Sequence, residues 1–430
     1  MTGQVAEQDP IDPVEPIDPD YPVTPVPRSA RRSGFTLLVV LLGFTVFTPT
    51  MAAGAGLGPA FDFGALMGVI AIGSAILGTY VALMGYVGAR SGLTTVVMAR
   101  RSFGTSGSKL ASIILGGTQV GWYGVTVGTV GDLTAQATGW ESWWARAAIM
   151  LVTSALMVVT ALYGYHGMYW ASLVATPLVL ILAVWVAFTS VGSVGGIDGL
   201  NAIEPVTTMS VATAVTAVVG TFVSAGTQVP NWTRFARSGS AAVTACLVAF
   251  VVGNGAMVVF GAIGALTQGE GDFVVVLFQL GLVGAGLFLL FGNLWTSNAD
   301  TAYAFGVAGA ELFNRPKKGP FVIGGAVIGT APALLGVQNS LIDYLGLVGT
   351  FIPPLGGVII ADWFCRWRNG VPEGYVLPAF DWRNLAAFVA GTVVAYVTGQ
   401  WELGIPPLFG ILVAAGLVMA LQLPRRTVRG

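Results

Sequence analysis

Apolar stretches about 20 residues long succeed one another from residue 35 to residue 422 of this 430-residue chain. No soluble fold can hide so many of them. In lipid every backbone N–H and C=O must be satisfied inside the protein, so a spanning segment is a helix or part of a closed barrel. Barrel strands alternate polar and apolar residues over roughly 10 positions, and these runs do not alternate. An all-α integral membrane protein follows. The composition agrees, with 55% hydrophobic and 9% charged residues and a mean hydropathy of +0.79, against roughly 25% charged in soluble domains. Windows of about 19 residues predict twelve spans, near 35–58, 64–87, 109–131, 146–164, 169–191, 210–229, 241–266, 275–307, 319–336, 341–362, 385–401 and 404–422. Segment 88–108 is too polar to span and reads as a short helix near the surface.

Charge placement tests that count, because each span flips the side on which later loops emerge. With twelve spans, 18 of the 19 Lys and Arg residues fall on one face and only Arg146 falls on the other. The positive-inside rule makes the first face cytoplasmic, with both termini inside a bacterial-type plasma (inner) membrane. Residues 1–33, rich in Pro and Asp and without an apolar core, read as a disordered cytoplasmic tail. Residues 34–423 then form one transmembrane domain. Cys246 and Cys365 form no disulfide or metal framework, and the net charge of −1 points to no nucleic acid. The surroundings are the lipid bilayer, and no obligate protein partner is evident.

Polar atoms concentrate in four places: GFTVFTP at 43–49, GGTQVGWYG at 116–124, GTFVSAGTQ at 220–228 and GNLWTSNAD at 292–300. The first and third interrupt spans 1 and 6, which stand five apart. Interrupted helices at corresponding places in two halves mark transporter sites, because they free backbone groups near the bilayer midplane. An odd offset makes the halves inverted. Repeat one would cover about 34–191 and repeat two about 210–362, with helices at 385–422 outside both. Small residues also let helices pack closely, but that does not explain Gln119, Asn293 and Asn298, amides that are costly in hydrocarbon unless partnered. Gln119 and Trp122, three apart, share a helix face. An amide beside an indole suits a flat heteroaromatic ring, and Phe222 and Ser224 offer a second plate and a hydroxyl. Asn293, Thr296 and Ser297 present oxygens along one stripe opposite the freed carbonyls of span 1. They form either a cage for a hard cation or a set of interhelical hydrogen bonds. Asp300, the one acid well inside a span, is either a proton or cation partner or a group in a watery vestibule. The lone His166 reads as a loop residue, so the acid, base or metal cluster of a membrane-embedded enzyme is missing. A passive channel would want repeated rings of pore-lining residues.

MGYVGARSGLTT at 84–95, RSFG at 101–104, LGGTQVGWYG at 115–124, SAGT at 224–227, TRFAR at 233–237, NLWTSN at 293–298 and IPPLGGVIIADW at 352–363 occur in order. On these motifs the chain resembles the nucleobase-cation-symport (purine/cytosine permease) family, and within it the bacterial cytosine-permease branch. The resemblance implies a leucine-transporter-type fold of five plus five inverted spans, no cofactor, sodium as coupling ion, and cytosine as substrate, although the family also takes purines, uracil, hydantoins and allantoin. It implies that Trp122 and Phe222 sandwich the base and that Gln119, Ser224, Ala225 and Asn298 contact its edge. It further implies that sodium sits on the carbonyls of Gly43 and Val46 with Asn293, Thr296 and Ser297. Tyr123, Ser297 and Asp300 depart from the pattern, as Phe, Thr and an acid one position earlier are its usual residues.

Overall fold

The computed structural model describes residues 18–372 and 374–422, and for 339–346 the backbone only. In chain order its helices are α1 Gly34–Thr45, α2 Met51–Leu57, α3 Phe63–Ser91, α4 Thr95–Phe103, α5 Gly107–Thr138, α6 Trp143–Leu162, α7 Gly164–Ser193, α8 Gly196–Asn201, α9 Val211–Gly220, α10 Val223–Thr227, α11 Pro230–Thr233, α12 Gly239–Leu247, α13 Asn254–Gln268, α14 Phe273–Gln279, α15 Val283–Leu312, α16 Gly319–Leu334, α17 Leu341–Asp362, α18 Trp382–Gln400 and α19 Pro406–Gln422. A π-helical turn at Val248–Gly253 joins α12 to α13. Among the described residues the only β pairing is one isolated bridge, Arg32 with Ala236. The protein is an all-helical, multi-pass membrane protein.

Local chemistry sets many of the ends. Ser33, Thr94, Ser142, Ser210 and Ser238 accept a backbone N–H of the first turn of α1, α4, α6, α9 and α12, and Gly92, Gly139 and Gly269 close α3, α5 and α13 in the left-handed region. By length and composition, five helical stretches can cross a membrane, or seven if each of two bent pairs counts as one span. α5 and α15, 32 and 30 residues long, are not among them. Their Gly, Thr, Ser and amide residues lower the hydropathy, and both helices are buried at the centre, α15 lying against α5, α7, α16 and α6.

Three boundaries differ from the sequence reading. Span 8 does not run from 275 in one piece, because α14 ends at Gln279 and a turn precedes α15. The broken sixth span does not stop at 229, since Pro230 opens α11, where its missing N–H is harmless. α4 is the short helix expected within 88–108, but most of it is buried.

The N-terminal segment is the larger correction. Residues 1–17 lie outside the described residues, but part of the supposed solvated tail is packed, at Asp18, Asp20, Pro22 and Val26. Asp18 and Asp20 are 8% and 6% exposed. Lys318 Nζ stands 3.1 Å from Asp18 Oδ1 and 2.8 Å from Asp20 Oδ2, and Arg234, itself buried, donates to Tyr21 O at 2.5 Å. Acidic residues that read as disorder act here as counter-ions to a buried lysine. Lys318→Met should therefore strand two buried carboxylates and lower stability by about 3–5 kcal/mol. Thermal unfolding in detergent measures this, and an unchanged midpoint would contradict the packing.

Candidate functional site

Both interruptions read from the sequence are breaks. After α1, Val46 (φ −75°, ψ 84°) and Phe47 (φ −134°, ψ 111°) leave the helical region, one 3-10 turn follows at Thr48–Thr50, and the chain resumes bent by 57°. Pro49 helps explain the position: it has no N–H to offer Thr45 O, so the α-helical ladder cannot run on through it. After α9, Phe222 (φ −134°, ψ 9°) departs likewise, and α10 and α11 continue at 55°.

Backbone groups freed inside a membrane need new partners, and at the first break α15 provides them. Asn293 Oδ1 accepts the Thr48 N–H at 2.8 Å, and Asn293 Nδ2 donates to Val46 O. Thr296 Oγ1 lies 3.1 Å from Gly43 O, and Ser297 Oγ lies 3.2 Å from both Gly43 O and Phe44 O. Each hydroxyl hydrogen serves one acceptor at a time, so lone pairs remain on a compact cluster of oxygens that includes no carboxylate. Such a hard-oxygen set fits an alkali cation. The side chain of Asn293 is spent on the backbone, and its carbonyl lies 2.9 Å from Thr296 Oγ1. At the second break Asn254 of α13 makes a side-chain contact instead, donating Nδ2 to Thr221 Oγ1 at 2.9 Å. Gln228 Nε2 ties the region to α5 through Leu115 O at 3.2 Å.

Between the two breaks lies a void of ≈ 20 Å³, lined by Phe44, Phe47, Gln119, Trp122, Thr221, Phe222, Ala225, Ser297 and Thr301. That is room for about one water. Phe47 meets Trp122 edge-on at 5.9 Å and Phe222 edge-on at 6.0 Å. Gln119 is 1% exposed and its Nε2 has no hydrogen-bond partner, a rare state for a buried donor and one that a ligand edge or a water would relieve.

The structure thus brings Gln119, Trp122, Phe222 and Ala225 to one void, and Gly43, Val46, Asn293, Thr296 and Ser297 to one break. Ser224 and Asn298 stand outside the void's lining. Ser224 Oγ is buried without a partner, and Asn298 Nδ2 meets Met157 Sδ at 3.1 Å. Asp300 is 0% exposed, and neither of its carboxylate oxygens has a hydrogen-bond partner. His166 lies in the first turn of α7 rather than in a loop, is exposed, and accepts the Trp170 indole N–H at 3.1 Å. Sequence reasoning missed Phe44, Phe47, Thr221, Thr301 and Asn254. An amide within the apolar run 241–266 is the signal that marks Asn254, by the argument applied to Asn293, and the two phenylalanines lie within the first interrupted motif itself.

An all-helical membrane protein whose two broken spans enclose a small aromatic and amide-lined void has the architecture of a secondary transporter. The family model described as "Permease for cytosine/purines, uracil, thiamine, allantoin" matches residues 25–419. The cytosine permease of Escherichia coli (strain K12) is 36% identical over 390 residues, 90% of each chain. The allantoin permease of Bacillus subtilis (strain 168) is 26% identical over 384 residues, 77% of each chain. The fold is similar to that of Mhp1, a nucleobase-cation-symport-1 family transporter solved in a closed conformation with bromovinylhydantoin bound, with a TM-score of 0.76, 19% identity and 94% of both chains covered. The chain belongs to the cytosine/purine permease family, a family of transporters rather than enzymes.

Asn293→Ala removes both side-chain bonds across the first break, at a cost on the order of 1–3 kcal/mol per orphaned group. Hydrogen exchange at the Thr48 amide should accelerate relative to amides within α1. Unchanged protection there would mean that Asn293 does not hold the break.

Proposed function

We propose that this protein is a secondary active transporter importing a nucleobase, cytosine before others, by sodium symport with alternating access. It would work in a bacterial-type inner membrane with both termini cytoplasmic. The observation that carries this reading is the double position of Ser297: its hydroxyl bonds the freed carbonyls of Gly43 and Phe44 and also lines the void with Gln119, Trp122 and Phe222. A cation and a ring held there share one wall. Sodium on Gly43 O, Val46 O, the Asn293 carbonyl, Thr296 Oγ1 and Ser297 Oγ would draw the first break onto α15 and set Phe44 and Phe47 for the base. Differential contacts of this kind couple two ligands.

In this reading Trp122 and Phe222 stack on the ring, Gln119 reads its edge, and Ser224, Ala225 and Asn298 complete the polar contacts when the site expands. The ≈ 20 Å³ void belongs to a contracted state in which Phe47 fills the space between the two plates. Twelve spans in two inverted repeats, about 34–191 and 210–362 with the helices at 385–422 added, fit the two breaks of 57° and 55° standing five spans apart. Cytosine is favoured because the cytosine permease relative is 36% identical and the allantoin permease 26%. Proton coupling is the second reading, and the wholly buried carboxyl of Asp300 favours it.

Radiolabelled cytosine uptake into proteoliposomes tests these readings. Saturable uptake driven by an inward sodium gradient is expected. Uptake that follows a pH gradient alone would replace sodium with the proton, and a non-saturating, ion-independent flux would describe a channel. Trp122→Ala should weaken cytosine binding about tenfold or more, by loss of stacking, in a protein that still folds. Phe47→Ala should enlarge the space between the plates and make adenine a better competitor relative to uracil. An unchanged competitor ranking would remove Phe47 from the wall.

A further inference from the structure

Two sets of cations on the arginine-rich face differ in their surroundings. Arg100 and Lys109 lie on Glu311 at 3.0 and 3.5 Å, Lys318 lies on Asp18 and Asp20, and Arg366 lies on Asp362 and Asp381. The second group has no such partners. Arg28, Arg31, Arg90, Arg237 and Arg368 come from four separate stretches of chain and line one recess of ≈ 420 Å³ together with Ser238 and Gly239 at the start of α12. No acidic residue lines it, and among the described residues none of the five makes an ion pair with a carboxylate. Arg31 bonds only carbonyls, Ala89 O at 2.7 Å and Ala236 O at 3.4 Å, and its Nε is buried without a partner. Burial first, then Arg28 and Arg90 alongside, hold the Arg31 guanidinium below the ordinary arginine value.

The positive-inside rule explains why arginines face this side. It does not explain their convergence on one recess, where like charges repel unless an anion sits among them. Guanidinium forks match phosphate oxygens in particular, and Ser238 and Gly239 at the start of α12 line the same recess.

We propose that this recess is a binding site for a phosphate-bearing anion, offered in place by the headgroups of anionic phospholipids in the cytoplasmic leaflet. The lipid source is favoured by what flanks the recess. Gly34 packs beside Ala241 in the first turn of α12, and the residue after it, Phe35, is 62% exposed. Phe364, 37% exposed, stacks on Tyr86, whose ring covers Gly239. Acyl chains would lie along those rings. Because Arg31 and the Arg32–Ala236 bridge join the lead-in of α1 to the ends of α3 and α11, a bound headgroup would fasten the broken first span on this side. Only the naming of the leaflet rests on the proposed orientation; the binding does not.

Thermal unfolding of the purified full chain in detergent tests the site, with phosphatidylglycerol, phosphatidylethanolamine or inorganic pyrophosphate added. A rise in midpoint with phosphatidylglycerol and not with phosphatidylethanolamine is expected. It should be lost in the R28Q/R90Q/R237Q/R368Q variant, whose midpoint without lipid stays near that of the parent. If that variant does not fold, the R28Q/R368Q pair, both exposed, should show a reduced rise. An equal rise with pyrophosphate alone would keep the phosphate site and make the source soluble. No rise with any phosphate compound, or the same rise in parent and variant, would overturn the proposal.

Discussion

A polypeptide that leaves the helical conformation inside a membrane must hand its freed N–H and C=O groups to something other than water, and the rest of this structure is arranged around that demand. The handover falls to one stripe on α15. Asn293 takes both a donor and an acceptor from the first break, Thr48 N–H and Val46 O, while Thr296 and Ser297 cover Gly43 O and Phe44 O with hydroxyls that can turn away. The amide makes the break permanent. The hydroxyls leave its carbonyls available to a competing cation.

This division of labour requires α15 to be held in register with its neighbours. Its far end is fixed by Glu311, fully buried, which binds Ser108 and Ser112 of α5 together with Lys109 and Arg100. A charged group so deep is tolerated only when every oxygen is occupied. Near the second break Asn254 donates to the Thr221 side-chain hydroxyl, while Tyr80 meets Thr227 at 2.5 Å. Close approach of backbone completes the frame. Gly54 and Gly261 let α2 and α13 touch where any Cβ would strike the facing main chain, so the second half of the broken first span rests on α13.

Much of this was legible in the residue order. Pro49 and the Gly-, Thr- and Ser-rich runs in two apolar spans place the breaks, and amides in hydrocarbon must be partnered, which singles out Gln119 and Asn293 before any contact is known. Other features were not legible. Nothing in the spacing of Phe47 shows that its ring stands against both Trp122 and Phe222. Asn298 shares a motif with Ser297, yet its amide meets Met157, because successive positions on a helix point about 100° apart. Asp18 and Asp20 read as solvated because sequence composition counts charges without their partners, and Lys318 lies 300 residues away.

The sequence by itself determined that the chain is helical and membrane-embedded and that spans 1 and 6 are interrupted, because these follow from local requirements: hydrocarbon-length apolar runs, a proline without a donor, and glycines among hydroxyls. It also carried the motifs of the family. Only the tertiary structure decided which atoms replace the lost helical bonds, how little space remains between the aromatic rings, and that Asp18 and Asp20 are bound in while five arginines stand together without acids. These outcomes depend on groups far apart in sequence meeting at distances of about 3 Å, and no periodicity along a chain encodes such meetings.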